Sequence, residues 1–158
     1  MATSTTTLER RIRSTDPVAT SALGLALAEA ARPGDLVCLW GDLGAGKTHL
    51  AKAFGAGLGV VDTISSPSFI LMAEYTGRVP LYHVDLYRLA DATDVFAGGL
   101  IDDRQAAGVT LVEWPDRMAA VLPEERLDVR IEGAGDEPRT ITIRAGTPGL
   151  RRYLDALP

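Results

Sequence analysis

Residues 41–48 read GDLGAGKT, and this stretch constrains the fold of the chain more than any other feature. Glycine weakens helices and strands alike, so three glycines within six positions indicate a loop with unusual backbone dihedrals. The spacing of Gly41, Gly46, Lys47 and Thr48 satisfies the Walker A pattern G-x-x-x-x-G-K-S/T. The apolar run LVCLW precedes the loop and the helix-periodic segment KTHLAKAFGAGLG follows it, so the order is strand, glycine loop, helix.

The residue types in this loop suit a bound magnesium nucleotide. Successive backbone N–H groups can surround phosphates only where side chains neither block the dihedrals nor obstruct the approach. The helix that begins at Lys47 adds its unpaired N–H groups, the Lys47 ammonium reaches the β- and γ-phosphates, and the Thr48 hydroxyl is a hard ligand for Mg²⁺. The residues that we assign to nucleotide binding are Asp42, Leu43, Gly44, Ala45, Gly46, Lys47, Thr48 and His49.

Lysine is rare in this chain, which has 16 basic residues but only two lysines, Lys47 and Lys52. The other basic residues are arginines. A chain that uses arginine almost everywhere has kept lysine at the position where a compact ammonium matters. This usage favours a phosphate-binding loop over an ordinary glycine turn.

Two carboxylates end apolar, strand-like runs: Asp85 ends LYHVD and Glu113 ends VTLVE. A solvated surface charge would be misplaced at the end of a buried strand. A P-loop enzyme needs a carboxylate near its metal, so one of the two could hold Mg²⁺ while the other orients the attacking water. The alternative is a pair of hydrogen-bonded structural carboxylates.

Other polar and aromatic residues are less specific. The segment SSPSF at 65–69 offers hydroxyls for a switch-like loop near the γ-phosphate, or is an ordinary turn. We interpret the His49 side chain as packing or surface, and His83 as a hydrogen-bonded histidine within a strand. Trp40 suits core packing, whereas Trp114 could contact nucleotide or a partner.

The remaining pattern predicts an α/β protein: a P-loop NTPase-like sandwich with a central, mostly parallel sheet and an antiparallel C-terminal hairpin. We expect one P-loop ATPase domain over residues 1–158, with 1–7 disordered. The predicted elements are an edge strand in LERRIRS, a helix capped by Asp16 and closed by Pro33-Gly34, strands at 36–40, 69–75, 80–87 and 109–114, short helices at 89–108 and 115–123, and a hairpin over 126–146.

Composition excludes several classes of protein. The net charge of −5 gives no overall attraction to nucleic acid or to an anionic membrane, although a local basic patch stays possible. The single cysteine, Cys38, rules out an internal disulfide, and with two histidines it argues against a zinc site. No apolar run reaches the ~20 residues of a membrane span and no signal-peptide pattern is present, so we expect a cytoplasmic protein.

The sequence agrees to different degrees with three kinds of P-loop protein. A Ras-like GTPase is disfavoured because the second lysine, Lys52, cannot supply an N-K-x-D guanine motif. A small-molecule kinase suits the length, but the late segment predicts a hairpin where an arginine-rich lid would be needed. A binding module that senses nucleotide without hydrolysis stays open.

Four motifs together resemble the TsaE (YjeE) family, the ATPase component of bacterial tRNA threonylcarbamoyladenosine (t6A) synthesis. They are GDLGAGKT, SPSF, YHVDLYRL and VEWPDR, in this order, and the resemblance covers nearly the whole chain. Ser68 stands where the family more often has threonine, and the hydroxyl is retained.

The resemblance implies ATP hydrolysis coupled to a complex with TsaD, which transfers the threonylcarbamoyl group to adenosine 37, and with TsaB. It implies contact with tRNA only indirectly, through that complex. By resemblance, Gly44, Gly46 and Lys47 bind phosphate, Thr48 binds Mg²⁺, Asp85 and Glu113 are the functional carboxylates, and Trp114 is the tryptophan beside them. We assign Glu113 to the metal and Asp85 to catalysis or water positioning.

We also expect slow hydrolysis by the protein alone, because the sequence identifies no internal arginine finger. Arg78 and Arg88 are candidates only if they face the γ-phosphate.

Overall fold

The computed structural model describes residues 8–42, 44–62, 72–86 and 106–158. Seven strands in these residues form one sheet in the order β1-β7-β6-β2-β5-β4-β3. The strands are β1 (Glu9–Ser14), β2 (Leu36–Trp40), β3 (Met72–Tyr75), β4 (Leu81–Asp85), β5 (Val109–Glu113), β6 (Leu127–Glu132) and β7 (Arg139–Ala145).

The four central strands, β6, β2, β5 and β4, are parallel to one another, and the strands that flank them on both edges of the sheet pair antiparallel. The predicted α/β architecture is therefore confirmed. The C-terminal hairpin is confirmed too, with Val129 opposite Ile143 and Ile131 opposite Ile141 in β6 and β7. The sequence predicted one antiparallel edge, and the pairing of β3 with β4 adds a second.

Two helices cover one face of the sheet, α1 (Pro17–Ala30) and α2 (Lys47–Gly57). As predicted, Asp16 caps α1: its side chain accepts a hydrogen bond of 2.9 Å from the backbone N–H of Ala19, and Pro17 occupies the first helical position. The core on this side joins Leu50 and Phe54 of α2 to the strands below them.

Alternation along the strands separates two apolar clusters. Val37, Leu39 and Leu111 belong to the large cluster beneath α1 and α2. Cys38 and Val112 point to the other face and pack in a smaller cluster. The predicted burial of Cys38 is confirmed, since its side chain is fully enclosed.

A short C-terminal helix, α3 (Arg151–Asp155), was absent from the predictions. Its side chains hold it to the loop before β2: Arg152 and the Tyr153 hydroxyl both donate to the Asp35 carboxylate. Five residues carry little helical periodicity, and helices this short are stabilised by tertiary contacts rather than by propensity.

Several predictions fall on residues outside the described ranges. They are the segment 1–7 that we expected to be disordered, Leu43, the hydroxyl-rich segment 65–69, Arg88 and most of the predicted helices at 89–108. None of the helices in the described part of the chain has the length and apolar character needed to cross a bilayer.

Candidate functional site

The glycine loop joins the carboxyl end of β2 to the first turn of α2. Gly46 immediately precedes α2 with φ of 107°, in the left-handed region that favours glycine. Gly41 follows β2 with φ of 153°, and a Cβ there would lie 2.7 Å from the backbone oxygen of Ile131. Glycine is therefore required at both ends of the loop. Gly46 needs the left-handed backbone conformation, and Gly41 lies too close to β6 for a side chain.

Lys47 is buried at the start of α2 and makes two contacts within the site. Its Nζ donates a hydrogen bond of 2.6 Å to the backbone oxygen of Gly41, across the mouth of the loop. The same Nζ lies 3.5 Å from the centroid of the Trp114 ring, a close cation–π contact. The side chain thus lies over the loop, between its first carbonyl and an aromatic face.

Burial lowers the pKa of the Lys47 ammonium below its ordinary 10.5. Four surrounding carboxylates oppose this shift by favouring the charged form: Glu113, Asp116, Asp85 and Asp42. Taking the ammonium out of water is unfavourable, so the site gains from any further anion that approaches Lys47.

Asp85 and Glu113 are register partners at the ends of β4 and β5. Their residues are 7% and 3% exposed, so neither is a surface carboxylate. Glu113 and Leu111 are two residues apart and share the strand face that α2 covers, which directs Glu113 toward the start of α2. The structure thus brings together Lys47, Asp85 and Glu113, which the sequence placed far apart.

His83 was not among the predicted site residues, but its Nε2 lies 2.6 Å from Oε2 of Glu113. The two side chains are 0% and 4% exposed. Alternation along β4 could have revealed this, because His83 lies two residues before Asp85 and therefore on the same strand face.

Trp114 is the one described non-glycine residue with a positive φ, at φ 59° and ψ 49°. It links β5 to the 3-10 helix Pro115–Val121. A left-handed conformation in a bulky residue costs free energy and persists where the surrounding structure requires it. Here the turn places the indole ring against Lys47.

Arg139, also missed by the sequence analysis, holds the glycine loop from β7. Its Nε donates to the backbone oxygen of Ala45 at 3.0 Å, and its Nη2 donates to that of Gly44 at 3.3 Å. No local signal could have found this residue, because more than 90 positions separate it from the loop it contacts.

His49 lies on the exposed side of α2 and contacts α1. Its Nε2 is 2.7 Å from Oγ of Ser21 and 2.9 Å from the backbone oxygen of Pro17. These contacts agree with the interpretation of the side chain as packing or surface. Thr48, the next residue toward the loop, is half-buried in the first turn of α2.

Two open cavities flank the loop. One, of about 360 Å³, lies between the start of α1, the start of α2 and the β6–β7 turn, and Gly46, His49 and Asp136 are among its lining residues. The other, of about 430 Å³, adjoins the start of the loop, beside Asp42 and Trp114.

Arg78 does not face the loop. Its guanidinium donates to the backbone oxygens of Ala28 and Ala31, at the carboxyl end of α1. The glycine loop lies near the amino end of α1, where His49 contacts Pro17, and 14 helical residues separate the two ends by about 20 Å. Arg78 was a candidate arginine finger only if it faced the γ-phosphate, and its position at the end of α1 does not meet that condition.

No group of three or more histidine, cysteine, aspartate or glutamate side chains within the described ranges is arranged to hold a metal ion. Mg²⁺ at a nucleotide takes one or two protein oxygens and completes its shell with water and phosphate. The hard oxygens of Thr48 and Glu113 fit such an ion.

Comparison with known proteins identifies the family. The family model described as threonylcarbamoyl adenosine biosynthesis protein TsaE matches residues 14–141. A Bacillus subtilis protein named tRNA threonylcarbamoyladenosine biosynthesis protein TsaE is 43% identical over 134 residues, which are 84% of each chain. A Treponema pallidum protein of the same name is 39% identical over 124 residues, covering 78% of this chain and 92% of that one.

A solved structure agrees with these matches. The crystal structure of YdiB from Bacillus subtilis superposes with a TM-score of 0.76 and 36% sequence identity, covering 93% of this chain and 92% of that one. The resemblance drawn from the four sequence motifs is confirmed.

Proposed function

Because this chain belongs to the TsaE family, we propose that it is a Mg²⁺-dependent ATPase that supports threonylcarbamoylation of adenosine 37 in tRNA. It acts in the cytoplasm as one P-loop domain, with the transferase TsaD and its partner TsaB. The observation that carries the ATPase proposal is the meeting of Asp85 and Glu113, as register partners, at the start of the helix that begins with Lys47.

The glycine loop and Lys47 bind the phosphates. Backbone N–H groups at Gly44, Ala45 and Gly46 surround the phosphates, and the amino end of α2 adds its positive dipole. Lys47 exchanges its contact with the Gly41 carbonyl for the β- and γ-phosphate oxygens. The phosphate charge offsets the burial that disfavours the Lys47 ammonium.

Thr48 and Glu113 would hold Mg²⁺, Thr48 through its hydroxyl and Glu113 through a carboxylate oxygen or an intervening water. When bound, the ion neutralises charge on the β- and γ-phosphate oxygens. Asp85, next to Glu113 across the strand pair, orients the water that attacks the γ-phosphorus and accepts its proton.

The nucleoside occupies the cavity of about 360 Å³ between α1 and the β6–β7 turn. This cavity adjoins Gly46 and His49 at the start of α2, where the α-phosphate leaves the loop. The second cavity, beside Asp42 and Trp114, adjoins the γ-phosphate end and stays open toward a partner.

A partner is needed for fast hydrolysis. Arg78 donates to the end of α1 and Arg139 donates to carbonyls of the loop, so both are occupied away from the γ-phosphate. The other candidate, Arg88, lies outside the described residues. Our proposal is that TsaD or TsaB supplies the cation that stabilises charge in the transition state, and such a group accelerates phosphoryl transfer by about 10³-fold or more. The net charge of −5 suits docking on proteins better than direct binding of tRNA.

The test is release of phosphate from ATP with Mg²⁺, with and without the TsaB–TsaD pair, together with t6A formation on tRNA. We expect slow release alone and at least a tenfold increase with the pair. Equal rates would contradict activation by the partners. Transfer of the phosphoryl group to a small-molecule acceptor would favour the kinase alternative, and no release under any condition would favour a nucleotide-sensing module.

A further inference from the structure

The imidazole of His83 is fully enclosed in the middle of β4, yet only one of its nitrogens is paired. Nε2 lies 2.6 Å from Oε2 of Glu113. Nδ1 is buried and has no hydrogen-bond partner among the described residues. Buried polar atoms are nearly always paired, so an orphan nitrogen in a core histidine needs a reason.

The reason lies in what the carboxylate requires. An ionised carboxylate can only accept hydrogen bonds, so Nε2 carries the proton and donates it to Glu113. The tautomer with its proton on Nε2 leaves a bare lone pair at Nδ1 rather than an unpaired N–H group. An apolar side chain at position 83, like that of Leu81 on the same strand face, would bury no unpaired atom but could not hold Glu113.

We propose that His83 is a positioning residue for the magnesium site. Its Nε2–H fixes the Glu113 carboxylate through Oε2 and so leaves Oε1 for the ion or for a water bound to it. Partners of this kind orient metal-binding carboxylates, and their loss typically weakens metal binding 10- to 100-fold. This inference rests on the proposed role of Glu113 at Mg²⁺.

Two amide variants separate the hydrogen bond from the space that the ring fills. In His83→Gln the amide nitrogen can take the place of Nε2 and donate to Glu113. In His83→Asn the shorter side chain places its amide near the position of Nδ1, out of reach of Glu113. Both remove the ring, and Asn leaves more space unfilled than Gln, so urea unfolding of the two variants measures the structural effect separately from Mn²⁺ binding.

The readout is binding of Mn²⁺, a paramagnetic substitute for Mg²⁺, to the protein–ADP complex, measured by electron paramagnetic resonance. We expect about tenfold weaker Mn²⁺ binding in His83→Asn and binding within about threefold of wild type in His83→Gln. Affinity for ADP in the presence of EDTA should be unchanged in both variants. Equal Mn²⁺ affinity in His83→Asn and wild type would overturn the inference.

A second measurement needs no variant at position 83. The chain has only two histidines, so ¹⁵N-resolved spectra can be assigned with a His49→Gln variant. A proton on Nε2 of His83 supports the inference, and a proton on Nδ1 with Nε2 bare overturns it.

The proposed function fails separately, if wild-type protein with ADP binds no Mn²⁺ or if the wild type releases no phosphate from ATP with its partners. The tautomer measurement still tests whether His83 donates to Glu113 in that case.

Discussion

The Nζ of Lys47 lies 3.5 Å from the centroid of the Trp114 ring and 2.6 Å from the backbone oxygen of Gly41. The lysine therefore already has two partners, and a bound phosphate must compete with both. Trp114 adopts its left-handed backbone at the point where its ring meets the ammonium. The glycine loop and the turn after β5 are linked through this contact.

Trp114 should consequently report nucleotide binding through its fluorescence. In a Trp40→Phe variant, the remaining emission comes from Trp114, and we expect ADP with Mg²⁺ to change its intensity as Lys47 moves to the phosphates. The matched control is Trp114→Phe, which leaves Trp40, whose Nε1 is bonded to Asp128 at 2.8 Å. A larger response from Trp40 than from Trp114 would contradict the exchange of contacts.

Lys47→Ala should abolish hydrolysis while leaving the fold intact. Removing the ammonium takes away charge stabilisation at the transferring phosphoryl group, for which we expect a loss of at least about 100-fold in kcat. Lys52→Ala is the control, because Lys52 is the only other lysine and is exposed on α2. Phosphate release and circular dichroism measure the two properties. Comparable activity in the two variants would be inconsistent with the proposed site.

Asp85→Asn and Glu113→Gln should differ in their dependence on Mg²⁺. If Asp85 orients water, kcat of its variant falls about 100-fold. The Mg²⁺ concentration that gives the half-maximal rate stays unchanged in this variant. If Glu113 serves the ion, its variant needs at least about tenfold more Mg²⁺. Asp155→Asn controls for loss of a carboxylate, since Asp155 is exposed in α3. The reverse pattern would exchange the two roles.

Arg139→Met should loosen the glycine loop. The guanidinium donates to the carbonyls of Ala45 and Gly44, and a charged hydrogen bond of a half-buried arginine contributes about 1–2 kcal/mol. We expect the free energy of unfolding to fall by this amount, and ADP binding to weaken about tenfold. Arg144→Met is the matched control, because Arg144 is exposed on the same strand. Urea unfolding and calorimetry give both quantities, and equal effects of the two variants would disprove the role.

Stability should fall at alkaline pH, in part through Cys38. Burial raises the pKa of this thiol from 9.0 to about 12, with Asp128 adding to the shift. The thiol of the unfolded chain ionises first, so stability present below pH 9 is lost as pH rises toward 12. The slope approaches about 1.4 kcal/mol per pH unit.

Cys38→Ala should show a shallower decline than wild type in urea unfolding between about pH 8 and about pH 11. Val112→Ala is the control, since Val112 is the register partner of Cys38 and lies in the same cluster without a titratable group. Identical slopes in wild type and Cys38→Ala would refute the contribution of the thiol.

Local patterns were sufficient for much of the fold. The helix capped by Asp16, the strand LVCLW and the alternating hairpin strands β6 and β7 were all predicted, because capping, burial and alternation act over a few residues. The helix α3 was missed, because its contacts with Asp35 come from a segment more than 100 residues earlier.

The sequence by itself determined that a glycine loop followed by Lys47 and Thr48 sits between a strand and a helix, and that Asp85 and Glu113 end buried strands. Only the tertiary structure decided that these two carboxylates are neighbours, that His83 holds Glu113, that Trp114 covers Lys47 and that Arg139 supports the loop. The physical reason is that strand order and register in a sheet are set by long-range packing, and no local periodicity encodes which strands become neighbours.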